Sequence, residues 1–207
     1  MTETVDAVEK QQSDYNRFID KAKVSAAIVS EIKAFEEAAD YAVKLCQDKA
    51  VNRYAISEEP VDTANLTKII AAPALSSSEF DMLADKCEQS SIDCIYSGMR
   101  DNLIGVDVGL SYADIGLAET GTIVLNCPDE ELRLATMLCE YHVCILPKSR
   151  VVKDGYDAEE QLQKFMLDAP NYTAFITGPS RTADIERVLS IGVHGPLELH
   201  ILILEDD

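Results

Sequence analysis

Lys68-Ile-Ile-Ala-Ala-Pro-Ala-Leu-Ser-Ser-Ser-Glu-Phe-Asp-Met-Leu-Ala-Asp-Lys-Cys-Glu-Gln-Ser-Ser-Ile-Asp-Cys-Ile-Tyr96 sets two short apolar runs around one helical pattern. Lys68–Pro73 suits a short buried strand ended by proline. Ser76-Ser-Ser-Glu79 is a capping signal: a serine oxygen accepts an orphan N–H of the first turn, and the later Glu reaches back. Phe80, Leu83, Ala84 and Cys87 then share one helical face. Ile92-Asp-Cys-Ile-Tyr96 reads as a second strand. Strand–helix–strand alternation points to an α/β protein whose sheet is at least partly parallel.

Toward the N-terminus, residues 12–50 read as a long helix with room for one break. Phe18, Ala22, Ser25, Ile28, Ile32, Phe35, Ala39, Ala42 and Cys46 recur at helical spacing, which requires an apolar surface beneath them. Toward the C-terminus the chain changes character, since its first glycine is Gly98. Gly116–Asn126 reads as two strands joined at a Glu-Thr-Gly turn. A helix over Glu130–Leu138, a strand over Tyr141–Pro147 and an amphipathic helix over Asp157–Leu167 follow. Thr173–Glu186 reads as a strand, a Gly-Pro turn and a helix start running on through Val188 and Leu189. Gly192-Val-His-Gly-Pro196 turns the chain into a buried final strand. The expected division is an N-terminal helical segment, 1–55, packed on or extending from an α/β domain, 56–207.

With 207 residues, 47% of them hydrophobic, the chain can build a sizeable core. Its 37 Asp+Glu against 18 Lys+Arg give a net charge of -19, which opposes binding to nucleic acid or to an anionic membrane surface. No apolar run approaches membrane-spanning length, and the acidic N-terminus lacks the regions of a signal peptide, so a cytoplasmic protein is expected. The 6 Cys form no Cys-x-x-Cys and read as free thiols. Cys139-x4-Cys144 around His142 has the wrong spacing for a compact metal site, because Cys139 falls on the other face of a strand. There is no Gly-x-Gly-x-x-Gly fingerprint and no P-loop.

Several residues are candidates for chemistry. At the expected 178–186 junction Gly178 permits a tight turn, Ser180 and Thr182 suit an N-cap, and Asp184 suits the first helical turn. Arg181 adds a fixed charge that could clamp a carboxylate, or could simply pair with Asp184. Arg133 is a second candidate clamp. His142 is either a general base or ligand contact at a strand edge, or a hydrogen-bonded core histidine. Asp114 and Glu119 flank the glycine-rich stretch; Gly121 would admit a ligand beside Glu119, with Thr120 and Thr122 offering hydroxyls. Both acids could equally satisfy turn N–H groups. His194 lies in the last turn, and His200 reads as core.

Three segments in register resemble the LUD-domain family, and within it lactate-utilisation proteins of the LutC type. They are Gly109-Leu-Ser-Tyr-Ala-Asp-Ile-Gly-Leu-Ala-Glu-Thr-Gly-Thr-Ile-Val-Leu125, Arg133-Leu-Ala-Thr-Met-Leu-Cys-Glu-Tyr-His142, and the Thr173–Glu186 stretch continued through Gly192–Pro196 to the final strand. Cys139 stands where the family usually has proline. The resemblance implies a three-layer fold with helices on both faces of a sheet, similar to the NagB/RpiA/CoA-transferase-like group. It implies a role in oxidising lactate to pyruvate beside partner proteins that carry iron–sulfur clusters, this chain being the cluster-free component with no cofactor of its own. His142 and Glu119 are the catalytic candidates, the latter by analogy with the loop glutamate of CoA transferases. A small carboxylate is the expected ligand. Two alternatives are a stand-alone enzyme on an acyl or phosphorylated metabolite, and a non-catalytic assembly subunit that docks through its N-terminal helix.

Overall fold

The computed structural model describes residues 2–50, 67–102, 105–167, 171–185, 188–191 and 195–206. Ile28–Ile32 (β1), Lys68–Ala71 (β2), Ile92–Ile95 (β3), Val106–Tyr112 (β4), Cys139–Pro147 (β7) and Glu198–Leu204 (β12) form one sheet in the order β1-β12-β7-β4-β2-β3. Every pairing within it is parallel. A parallel sheet is stable when both faces are covered, and β7 and β12 carry the apolar runs this demands. Phe35–Asp48 (α2) and Ser77–Gln89 (α3) cover one face, packing Ala39, Ala42, Cys46, Leu83 and Cys87 against Ile70, Leu110, Val143 and Leu202. The expected cap of α3 is present, with Ser76 and Glu79 closing a capping box.

The other face carries helices and a second sheet. Ile115–Leu117 (β5), Thr122–Cys127 (β6), Val151–Val152 (β8) and Tyr172–Ile176 (β9) form this sheet in the order β8-β5-β6-β9. Thr2–Val24 (α1) and Glu130–Leu138 (α4) lie beside it. Tyr15, Phe18 and Ala22 of α1 and Leu132 of α4 join Ile123 and Leu125 over Cys144, Leu146, Leu199 and Ile201. Glu159–Leu167 (α5) lays Leu162 and Phe165 against Ile115 and Val124.

The long helix expected over 12–50, with room for one break, is two helices separated by a strand. After α1 the backbone turns through Ala26 in a left-handed conformation, φ 64°, and Ile28–Ile32 pair with β12 as the sheet edge. The β-branched Ile28, Val29 and Ile32 suit a strand, and their helical spacing with the flanking helices was coincidental. The expected domain boundary at 55/56 lies outside the described residues.

A second correction concerns the expected helix after Gly178-Pro179. Arg181–Ile185 (β10) and Val188–Ile191 (β11) form an antiparallel hairpin with a register shift between Thr182 and Ile185. Tertiary contacts decide this: Ser180 N donates to Pro196 O at 2.9 Å, and the Arg181 guanidinium donates to Ser25 O at 2.7 Å. No helix N-terminus is therefore present there to attract an anion.

Buried charge ties the layers together. Lys49, just past α2, donates to Asp107 Oδ1 of β4 at 2.7 Å and to Glu140 Oε2 of β7 at 2.5 Å. Burial alone would lower the Lys49 pKa, but the two carboxylates outweigh it and raise it. Asp107 Oδ2 also accepts from Ile69 N at 2.7 Å.

Two glycines permit close backbone approach. A Cβ on Gly121 (φ +67°) would lie 2.2 Å from Ala22 N, and one on Gly178 (φ +71°) 2.1 Å from Ser25 O. Gly121→Ala should cost about 2–4 kcal/mol, from left-handed strain plus displacement of α1. Chemical denaturation would measure it, and a loss below about 0.5 kcal/mol, the size of a neutral surface change, would contradict this packing.

Candidate functional site

The N-terminal part of β7, the start of β12, one side of α4 and the loop after β9 enclose a cavity of about 300 Å³. Its apolar wall includes Met137, Tyr172, Ala174, Phe175, Ile176, Pro179, Pro196 and Leu199; its polar groups are Arg133, Thr136, His142, Thr177 and Ser180. An apolar cleft with a few convergent polar groups is the usual form of a small-molecule site.

His142 is fully buried. Its Nε2 is 2.8 Å from Ser111 Oγ, and Ser111 Oγ donates onward to Cys144 Sγ at 3.6 Å. Across the Ser111 contact either the hydroxyl or Nε2–H donates, according to the imidazole tautomer. Nδ1 has no partner. Burial, assisted by the field of His200, lowers the His142 pKa to about 4, so the ring is neutral near pH 7. A buried neutral imidazole with one unpartnered nitrogen is short of one hydrogen bond.

Arg133 reaches the cavity from α4. Its guanidinium bonds Glu130 at 2.9 Å and stacks over the Tyr172 ring, 5.5 Å from the centroid.

The cavity brings together four of the residues singled out in the sequence, Arg133, His142, Gly178 and Ser180. Gly121 and Gly178 admit the backbone of the α1 C-terminus, and Arg181 binds Ser25 O at that same end, where a cation suits the helix dipole. Arg181 is thus a clamp on α1, with no partner in Asp184 needed to explain it. Glu119 is exposed at the turn and lies outside the cavity lining. Asp114 accepts from Asn126 N at 2.7 Å, a turn role; burial raises its pKa. Thr120 and Thr122 form a hydroxyl chain with Thr177, at 2.6 and 2.7 Å, that reaches the cavity rim. His194 and the side chains of Thr182 and Asp184 lie outside the described residues. His200 is a core residue between Tyr41 OH and Glu198, both at 2.8 Å.

Burial pushes the Cys139 and Cys144 thiols up to about 12, which keeps them protonated near neutral pH. Among the described residues, no group of three or more His, Cys, Asp and Glu is placed to hold a metal ion, and no helix is long and apolar enough to cross a membrane.

The model of the LUD domain matches residues 15–204, nearly the whole chain. The chain belongs to the LUD-domain family. Among curated LUD relatives, lactate utilization protein C of Geobacillus thermodenitrificans is 39% identical over 127 residues, covering 58% of this chain and 52% of that protein. The protein of the same name from Macrococcus caseolyticus is 37% identical over 103 residues, 48% of this chain and 45% of its own. The chain thus spans about half the length of the curated relatives it matches. A crystal structure of a DUF162 family protein from Deinococcus radiodurans superposes with a TM-score of 0.60 at 13% identity, covering 94% of this chain and 98% of that one, and supports the mixed α/β fold.

Within this LUD domain, sequence reading passed over Ser111, Thr136 and Thr177. Ser111 was signalled by its place two residues before the Ala-Asp pair, but only the parallel register, Ser111 beside Cys144 and Gly109 beside His142, brings it to the imidazole.

His142 also sets a pH dependence. Its folded pKa, about 4, lies below the ordinary 6.5, so the unfolded chain binds more protons between these values and stability falls as pH falls through that window. The full loss from this one ring is about 3 kcal/mol. Urea denaturation at a series of pH values should show His142→Gln losing less stability than the parent between pH 6.5 and 4. Parallel profiles would contradict the neutral buried ring.

Proposed function

We propose that this LUD domain is the cluster-free component of a lactate-utilisation system that oxidises lactate to pyruvate with separate iron–sulfur proteins, and that its contribution is made at the His142 cavity. The observation that carries the reading is a preformed apolar cavity with one unsatisfied, fully buried imidazole nitrogen, in a chain whose relatives are named for lactate utilisation. Conversion of lactate to pyruvate removes two electrons and two protons. In this reading the two electrons pass to the partners' clusters, the two protons leave to solvent, and this chain supplies a neutral imidazole beside a largely apolar cleft. The net charge of -19 fits such a component, which this reading assigns to the cytoplasm.

The stand-alone reading, with Glu119 as nucleophile, is less favoured because Glu119 is exposed and does not share the cavity with His142. Docking through the N-terminal helix is also less favoured. Tyr15, Phe18 and Ala22 already bury the α1 stripe in the core, and removal of residues 1–50 would also delete β1 and α2.

The test is a null strain of the native host grown on lactate and complemented with variants. His142→Gln should abolish or slow growth by at least about tenfold, the loss expected of one catalytic-scale hydrogen bond, while Glu119→Gln grows normally. Tagged parent protein should co-purify iron–sulfur proteins from those cells, seen in the visible spectrum. Normal growth of His142→Gln at full protein level would overturn the site. Normal growth of the null strain would overturn the role.

A further inference from the structure

Away from the His142 cleft, two cysteines meet across the seam between α3 and β3. Cys87, in the last turn of α3, is fully buried, and Cys94 lies in β3. Side chains alternate along a strand, so Ile92 and Cys94 share the face that packs on α3. There the Cys87 thiol donates a hydrogen bond to the Cys94 sulfur. All six cysteines are among the described residues, and five of them are buried. Cys94 alone is partly exposed, on the wall of an open cleft beside Ala84, Glu88 and Ser91. That cleft shares no lining residue with the one at His142. The hydrogen bond from Cys87 lowers the Cys94 pKa against the burial that opposes it, and the same bond, with burial, raises that of Cys87. The accessible sulfur therefore has the greater thiolate share, and the buried one is a thiol held against it.

We infer that Cys87 and Cys94 form a reversible disulfide, with Cys94 as the sulfur that meets the oxidant and Cys87 as the resolving thiol. The oxidant is a small neutral hydroperoxide. Asp85, Glu88 and Asp93 line the cleft and repel anionic oxidants such as glutathione disulfide. With hydrogen peroxide, the Cys94 thiolate attacks one oxygen and the O–O bond breaks. The departing hydroxide takes the thiol proton and leaves as water, and Cys94 becomes a sulfenic acid. The Cys87 sulfur then attacks the Cys94 sulfur, the S–O bond breaks, and a second water leaves with the Cys87 proton. The two thiols lose two electrons, and one peroxide is reduced to two waters. Closure brings the sulfurs to about 2 Å. The fold allows this small movement, because β3 is an outer strand of its sheet and Cys87 sits near a helix end. Only residues 88–93 separate the two cysteines.

Trypsin cuts after Lys86 and Arg100, so both cysteines fall in one peptide, 87–100. The full chain is reduced, freed of reductant, treated with millimolar hydrogen peroxide, alkylated with N-ethylmaleimide in urea and digested. We expect peptide 87–100 to lose about 2 Da, the two hydrogens given up in a disulfide, and to take no alkyl group. Cys46, Cys127, Cys139 and Cys144 should be alkylated as before. Dithiothreitol should restore both thiols. In Cys87→Ser the sulfenic acid at Cys94 has no resolving thiol, and its dimedone adduct should rise at least about tenfold over the parent. In Cys94→Ser, Cys87 should stay reduced. The parent measurement stands whether or not either variant folds. An over-oxidised Cys94 beside an alkylated Cys87 would overturn the proposal. So would two alkylated thiols in 87–100 after peroxide, or either cysteine paired with one outside that peptide.

Discussion

The carbonyl end of α1 holds the candidate site in shape. Residues 21–25 lie directly against the backbone of Gly121 in one turn and Gly178 in another, at distances that leave no room for a side chain. The Arg181 guanidinium closes on Ser25 O from the far side of Pro179 and Ser180. Gly178, Pro179 and Ser180 form part of the cavity rim, so the position of that rim is fixed by a helix that contributes no side chain to the cavity. A cation at a helix C-terminus is favourable, and the carbonyl it meets would otherwise be an orphan acceptor. The two glycines and the arginine therefore read as supports of the site.

The parallel sheet supplies the other half of the constraint. Adjacent β4 and β7 place Gly109 beside His142 and Ser111 beside Cys144. A Cβ on Gly109 would come 2.7 Å from Ala135 O, so the small residue lets α4 approach the sheet. That approach brings Arg133 and Thr136 to the same cavity as His142. The Lys49, Asp107 and Glu140 group pins the starts of β4 and β7 to the end of α2 on the opposite layer. Burial that stabilises the sheet also strips solvent from His142, which makes it neutral and leaves Nδ1 unpartnered among the described residues. The packing that forms the fold is thus the source of the chemistry.

Much of the architecture was legible locally. The capping box at Ser76, the helix over Glu130–Leu138 and the strand containing His142 all follow from caps and periodicity, because their signals lie within a few residues. Two elements were misread where tertiary contacts outweigh local pattern. Ile28–Ile32 shares helical spacing with its neighbours, and only pairing with β12, over a hundred residues away in sequence, makes it a strand. Ser180–Asp184 has good helix-start chemistry, but Ser25 O and Pro196 O take its polar groups and the chain forms a hairpin. The same contacts explain the site. His142 was visible as a residue, whereas its unpartnered nitrogen depends on Ser111 and Cys144. Arg181 was marked for its charge, yet its partner lies in α1. Glu119 gave a signal by type and neighbours alone and sits outside the cavity.

The central claim is that His142 is a buried ring held neutral near pH 7. Histidine nitrogen chemical shifts, recorded on protein labelled at the imidazole nitrogens near pH 7, report tautomer and charge directly. The account predicts a neutral ring, with one protonated and one unprotonated nitrogen. An imidazolium signal would contradict it.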